Sequence, residues 1–343
     1  MRTLTIAGAT LVVLAALALA QSGPSPDQAA ITDLVLANRI LASEEVGVLN
    51  VYGHVSYRSR SNPARFFIAR NKAAGLVTAA DIYESDLDGR PVSAVVGAGL
   101  SRLGGADLYP ERFIDAEIYK ARPDVMAIVT AQTPEFVAFS VSSVPMHGAN
   151  APPVVDIRTF AGGQGGLVST PALGASLAKA LGQRNSVLLM GRGAVFAGPT
   201  INGVVGSANG LRESMRTQLT AAALGGTITF LDFTPRPPSA APPAAGRGAR
   251  ANTAADPTAG DRPWNYWKYL ANAELARETR QATPSAPPST GNTDSALIEE
   301  IVIASRILST PEAGILSAYG HVSARSRTNP NHYFISTDRK SVV

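Results

Sequence analysis

The strongest constraint on this chain is an internal repeat. Laid in register, Val51-Tyr52-Gly53-His54-Val55-Ser56 falls on Ala318-Tyr319-Gly320-His321-Val322-Ser323 without a gap. Upstream, Ala37, Arg39, Ile40 and Leu41 fall on Ala304, Arg306, Ile307 and Leu308. Downstream, Arg58-Ser59-Arg60, Asn62-Pro63 and Phe67-Ile68 fall on Arg325-Ser326-Arg327, Asn329-Pro330 and Phe334-Ile335. Such self-similarity decides how many folding units a chain holds. Residues 294–337 read as the truncated start of a second copy of the domain that begins near Asp27. A helix and two strands of about 45 residues do not normally close a core alone. Asp338–Val343 leave the pattern of the first copy, which continues Asn71-Lys72-Ala73-Ala74. They can be back-translated as GATCGGAAGAGCGTCGTG, the start of a common sequencing-library adapter, so 338–343 read as a sequencing artefact. The natural protein is expected to contain two full domains.

The rest of the chain divides by composition. Residues 1–20 carry Arg2, an apolar run from Leu11 to Leu19 and a small-x-small end, Ala18-Leu19-Ala20. That is the pattern of a cleaved secretory signal, and the run is short for a bilayer span. A secreted or periplasmic location follows, with no membrane association after cleavage. Residues 21–234 form the main domain. Residues 235–261, rich in Pro, Ala, Gly and Arg, bury too little apolar surface to fold and read as a linker. Residues 262–281 read as a helix that completes the first domain, with Trp264 and Trp267 on one face docking back on it. A second linker, 282–293, leads to the repeat.

Cysteine is absent from the 343 residues, which excludes a disulfide framework, an iron–sulfur cluster, a thiolate zinc site and a cysteine nucleophile. A net charge of +4 with no basic stripe gives no support for a nucleic-acid partner. Within the main domain, the apolar stripe Ile31, Leu34, Val35, Ile40 and Leu41 predicts a helix, and Val51–Tyr57 and Arg65–Ala69 predict strands. Helices are predicted at Glu111–Arg122, after Thr133-Pro134, at Ala172–Leu181 after Thr170-Pro171, and at Ser207–Leu224. The two Thr-Pro pairs supply an N-cap followed by proline at the first helical position. Strands are predicted at Val125–Thr130, at Ser186–Met190, after Gly193, and at Thr227–Leu231. This mixture predicts a layered α/β domain.

Four motifs, in order, carry a resemblance. The run Tyr109-Pro110-Glu111-Arg112-Phe113-Ile114-Asp115-Ala116-Glu117-Ile118-Tyr119-Lys120-Ala121-Arg122-Pro123-Asp124-Val125 resembles the helix–strand core of the class II aldolase/adducin family. Tyr52-Gly53-His54-Val55-Ser56 resembles its anion-binding turn, Thr170-Pro171-Ala172-Leu173-Gly174 a later helix, and Leu188-Leu189-Met190-Gly191-Arg192-Gly193-Ala194-Val195 its last metal-ligand loop. The resemblance covers 27–281. It implies a three-layer αβα fold with a central, mainly antiparallel sheet, commonly a homo-oligomer with sites at subunit interfaces. It also implies a divalent metal, usually zinc, on three His, which polarises a carbonyl while a Glu moves the proton. Some relatives are epimerases, dehydratases or decarboxylases, and adducin-type members are not enzymes.

At the positions where the family places its ligands, this chain departs. The family's His-x-His falls on Thr130-Ala131-Gln132, its third His on Arg192, and a further frequent His on Asp115. Thr130, Gln132 and Arg192 are degenerate metal positions: a guanidinium has no lone pair to give and repels a dication. No metal and no other cofactor is expected. Glu111 matches the acid/base, or is a glutamate favoured by the helix dipole. Arg192 either stands as a fixed cation in the metal's place, stabilising an enolate, or pairs with Glu111 or Asp115 in an inactive site. Gly53, His54 and Ser56 are candidates to bind a small anionic substrate, with a structural turn histidine as the alternative. His147 reads as a loop residue. The leading expectation is an exported aldolase-like protein without metal-dependent aldolase activity in this domain, a pseudoenzyme or a structural partner of a second domain in a homo-oligomer or pseudo-oligomer. The alternative is a carbon–carbon lyase or decarboxylase on a small sugar-like or hydroxy-acid substrate, using Glu111 and Arg192.

Overall fold

Alternation along the central strands decides the architecture. In Ala127–Ala131, residues 127, 129 and 131 are buried on one side of the sheet and Ile128 on the other, so helices must cover both faces. The computed structural model describes residues 26–94, 105–148, 151–230, 261–281, 293–308 and 321–335. The expected signal at 1–20 and the linkers at 235–261 and 282–293, save Asp261 and Thr293, lie outside them, as do residues 338–343. The chain divides into two units, Met1–Leu275 and Ala276–Val343.

The first unit is built on β1 (His54–Arg58), β2 (Arg65–Ala69), β3 (Ile82–Asp86), β4 (Pro91–Ala94), β5 (Ala127–Ala131), β6 (Val154–Val155), β7 (Ser186–Leu189) and β8 (Gly193–Gly198). Their order is β4-β3-β2-β1-β5-β8-β7-β6. Every neighbouring pair is antiparallel except β6–β7. The three-layer αβα fold with a mainly antiparallel sheet is therefore present.

On one face lie α1 (Pro26–Ala42), α3 (Pro134–Val141), α5 (Ile201–Ala223) and α6 (Arg262–Gln281). Leu34, Leu41, Phe136, Val205 and Met215 pack there against Val55, Val129 and Phe196 of the sheet. Trp264 and Ala271 join this core, with Trp267 and Leu275 packed on it, the one-faced docking expected of this helix. On the other face α2 (Arg112–Ala121) and α4 (Pro171–Leu181) pack on each other, and Ile114, Ile118, Leu173 and Leu177 meet Ile68, Ile128 and Val195. Both Thr-Pro caps form: Thr133 accepts from the Phe136 N–H and Thr170 from the Leu173 N–H.

Three elements depart from expectation by more than two residues. β1 begins at His54, because Val51 and Tyr52 form an exposed turn. The last long helix begins at Ile201 rather than Ser207, with Thr200 as its N-cap. Residues 227–230 of the predicted strand have no ladder; Phe230 instead stacks on His147, ring centroids 3.7 Å apart. Leu231 lies outside the described residues.

In the second unit, α7 (Asp294–Leu308) precedes the antiparallel pair β9 (Ser323–Arg325) and β10 (Tyr333–Ile335). The pairs Ser323↔Ile335, Ala324↔Phe334 and Arg325↔Tyr333 repeat the register Ser56↔Ile68, Tyr57↔Phe67 and Arg58↔Phe66 of the first unit. No helix among the described residues is long and apolar enough to cross a membrane.

Candidate functional site

β5, the start of α2 and the turn between β7 and β8 meet in a cleft lined by Gly53, Glu111, Thr130, Gln132 and Arg192. Five of the sequence candidates thus converge: Gly53, Glu111, Thr130, Gln132 and Arg192. The turn is fixed by its glycines. Gly191 and Gly193 have φ of 70° and 149°, and a Cβ on Gly193 would lie 2.1 Å from the Ala131 carbonyl oxygen. That close approach carries Arg192 to the end of β5.

Glu111 stands at the N-cap of α2 but its side chain makes no capping bond. Its Oε1 accepts from the Val168 N–H at 3.3 Å, and its Oε2 lies 3.5 Å from an Arg192 nitrogen. Of the two expected pairings for Arg192, the one with Glu111 is made and the one with Asp115 is not. At that length and with the Arg192 side chain 36% exposed, the pair contributes at most about 1 kcal/mol. The Arg192 side chain makes no hydrogen bond among the described residues, its backbone N–H donating to the Leu189 carbonyl. Thr130, by contrast, is nine-tenths buried and its hydroxyl has no partner there.

His54 and Ser56 do not reach the cleft. They are 1% and 0% exposed, and both bond Asp115 on α2: His54 Nε2 at 2.8 Å and the Ser56 hydroxyl, which donates, at 2.6 Å. Ser56 also contacts the Tyr119 hydroxyl at 2.9 Å. Both side chains of the expected anion site are thus buried and bonded to α2 rather than open to the cleft. Gly53 does line the cleft, yet its carbonyl accepts from the Tyr109 hydroxyl at 3.0 Å, and a Cβ there would meet Leu49 at 2.5 Å. Packing alone therefore accounts for this glycine. Burial, with the charges of Asp115 and Glu111 nearby, pushes the Tyr109 hydroxyl up to about 12, so it stays a donor. Burial and Asp115 likewise hold the Tyr119 phenol well above its ordinary value.

The Asp115 network was not legible beforehand, although a signal exists. Glu111 and Asp115 are four apart on one helix and His54 and Ser56 two apart on one strand, the spacings that align side chains on single faces. His147 is a loop residue, as expected, its N–H donating to Gln218.

The family metal finds no fitting donor set. Among the described residues no three His, Cys, Asp or Glu side chains converge. The cleft offers one carboxylate facing a guanidinium, one hydroxyl and one amide, and a guanidinium has no lone pair to give and repels a dication.

The class II aldolase and adducin N-terminal domain family matches residues 32–219. The chain is 30% identical to a 3,4-dihydroxyphthalate decarboxylase of Arthrobacter keyseri over 58% of its own length and 81% of that protein. It is 32% identical to decarboxylase tropJ of Talaromyces stipitatus over 34% of its length, spanning only 39% of that relative. An L-fuculose 1-phosphate aldolase structure from Glaciozyma antarctica aligns at 24% identity with a TM-score of 0.47, over 62% of this chain and 84% of that one. With its family match covering more than half of its length, this chain belongs to the class II aldolases and adducins.

Proposed function

We propose that the first domain is a class II aldolase-type domain that does not perform zinc-dependent carbon–carbon cleavage, and that it serves as a binding or structural domain of an exported protein. The observation that carries this reading is Arg192, which faces Glu111 at 3.5 Å where the family binds its metal. A fixed cation there electrostatically excludes a dication and holds the one carboxylate in the cleft. The signal-like pattern of residues 1–20 supports export, and the repeat of residues 27–68 at 294–335 supports a second, partner domain.

A second reading is favoured by the likeness to proteins named decarboxylases. In it, loss of carbon dioxide leaves an electron pair delocalised onto an enolate oxygen. Arg192 neutralises that oxygen and Glu111 relays a proton from water to carbon. Metal analysis of the purified full chain, with a screen for aldol cleavage and decarboxylation, separates the two. Zinc-free protein without turnover is expected; stoichiometric zinc refutes the ligand reasoning. Turnover that disappears in Glu111→Gln establishes the second reading instead.

A further inference from the structure

Arg192 faces two spaces. Inward is the cleft it shares with Thr130 and Gln132, about 20 Å³, room for about one water-sized group. Outward is an open groove of about 490 Å³, along which the half-exposed Val141 and Met190 side chains present apolar surface. The groove holds a second arginine, but its charge is already used. Arg158 forms a two-pronged pair with Asp156, Nε to Oδ1 and an amino nitrogen to Oδ2, both 2.8 Å, and this pairing holds the Asp156 carboxyl below its ordinary range. Among the described residues the Arg192 side chain has only the long contact to Glu111. Beside it lies the buried Thr130 hydroxyl without a partner. A nearly unspent planar fork thus stands in the wall of both spaces, with an orphaned hydroxyl on one side and an apolar shelf on the other.

We propose that this surface binds a small monocarboxylate with an apolar body. One carboxylate oxygen enters the inner cleft, in reach of the Thr130 hydroxyl and the Gln132 amide. The guanidinium of Arg192 takes the carboxylate in the fork geometry that suits two coplanar oxygens. The body lies outward along Met190 and Val141. A single weakly paired cation suits a single negative charge better than a double one, and a cleft that admits one oxygen disfavours a tetrahedral phosphate. Glu111 competes for the same guanidinium, so ligand binding loosens the Glu111–Arg192 pair. The inference rests on the metal-free reading of the cleft and gives that reading a ligand class.

The test is calorimetric titration of the full chain with benzoate, benzamide and inorganic phosphate, with zinc measured on the same sample. Saturable benzoate binding is expected, with benzamide and phosphate at least about ten-fold weaker, since a hydrogen-bonded charge is worth that much or more. Arg192→Gln is expected to weaken benzoate at least ten-fold, and Glu111→Gln to tighten it several-fold by removing the competitor. Neither change touches the core, and an unchanged melting temperature verifies folding. Benzoate affinity that survives Arg192→Gln, or phosphate binding as tight as benzoate, overturns the proposal. Zinc at one equivalent overturns the metal-free reading itself. Zinc-free protein that does not bind benzoate overturns only the ligand assignment.

Discussion

Replacing Asp115 by Ala tests whether the interior of the site is held as the structure implies. Asp115 is fully buried and accepts from His54 and Ser56. Each bond to a charged group is worth about 1.5–3 kcal/mol, and relief of the buried carboxylate's desolvation offsets part of the sum. Alanine also leaves His54 with both ring nitrogens unpartnered, since Nδ1 has no partner already. The net cost is about 3–5 kcal/mol. For a domain of this size that lowers the melting temperature by about 6–20 °C. Asp115→Asn is the control: its amide oxygen still accepts from His54 and its amino group can donate to Ser56, whose hydroxyl then turns to Tyr119. The expected loss is about 1 kcal/mol. Urea unfolding followed by tryptophan fluorescence reads the right unit, because Trp264 and Trp267 both pack on its core. A loss under about 1 kcal/mol for Asp115→Ala at unchanged m-value, or equal losses for the two variants, refutes the reasoning.

Asp81 is buried, which alone would raise its carboxyl, but bonds from Lys72 and Thr78 outweigh burial and hold it below the usual value. The stability it contributes is therefore complete above the unfolded value of about 3.9 and is lost as pH falls through the lower folded value. Urea midpoints measured from pH 5 to pH 2.5 should fall steeply in the wild type and less in Asp81→Asn; parallel curves would refute this. Thr130→Val removes an orphaned buried hydroxyl at nearly constant shape and should raise stability by about 1 kcal/mol in thermal unfolding while weakening benzoate binding. A drop in stability would mean that the hydroxyl is bonded. Gly193→Ala should cost about 2 kcal/mol or more, because φ of 149° and the Ala131 carbonyl both oppose a Cβ; a neutral melting shift would sink the turn argument. In hydrogen exchange, amides of the β9–β10 pair should be protected far less than those of β1–β2, since a lone hairpin is marginal in water. Equal protection would contradict that.

Local signals were the legible ones. Thr133-Pro134 and Thr170-Pro171 each fixed a helix start, and the apolar runs of β5, β7 and β8 were visible as strands. What escaped was structure whose cause lies elsewhere in the chain. β3, Ile82-Tyr83-Glu84-Ser85-Asp86, has three polar residues and becomes a strand because β2 and β4 flank it; Ser85 is buried by bonding the Asp86 and Arg90 carbonyls. Gly203, Gly206 and Gly210 lower helix propensity and hid the first turns of α5, which packing and the Thr200 cap restore. Thr227–Phe230 has strand-like composition but no partner strand among the described residues. In the site, Glu111, Thr130, Gln132 and Arg192 were placed together through the family resemblance, whereas the Asp115–His54 bond joins positions 61 residues apart that no local pattern connects.

The repeat separates these two kinds of cause within one molecule. Asp27 accepts from the Ser59 hydroxyl and the Arg60 N–H, and Asp294 accepts from the Ser326 hydroxyl and the Arg327 N–H. The helix–hairpin bracket is thus encoded within about 45 residues and forms in both units with one register. Burial is not so encoded. Leu36, Ile40 and Phe66 are 3%, 1% and 0% exposed, while their counterparts Ile303, Ile307 and Tyr333 are 52%, 56% and 68% exposed. Arg58 shows the difference in polar terms: it donates to the Val125, Tyr119 and Arg122 carbonyls at the end of α2, as well as to Pro63. Arg325 keeps only the Pro330 counterpart of that set among the described residues. For Phe66 and Arg58 that burial comes from α2 and the approach to β5, and those same two elements carry Glu111 at the start of the helix and Thr130 near the end of the strand. Because the groups that bury Phe66 and Arg58 sit on the elements that assemble the cleft, the packing that closes this face of the core is also what positions Glu111 and Thr130.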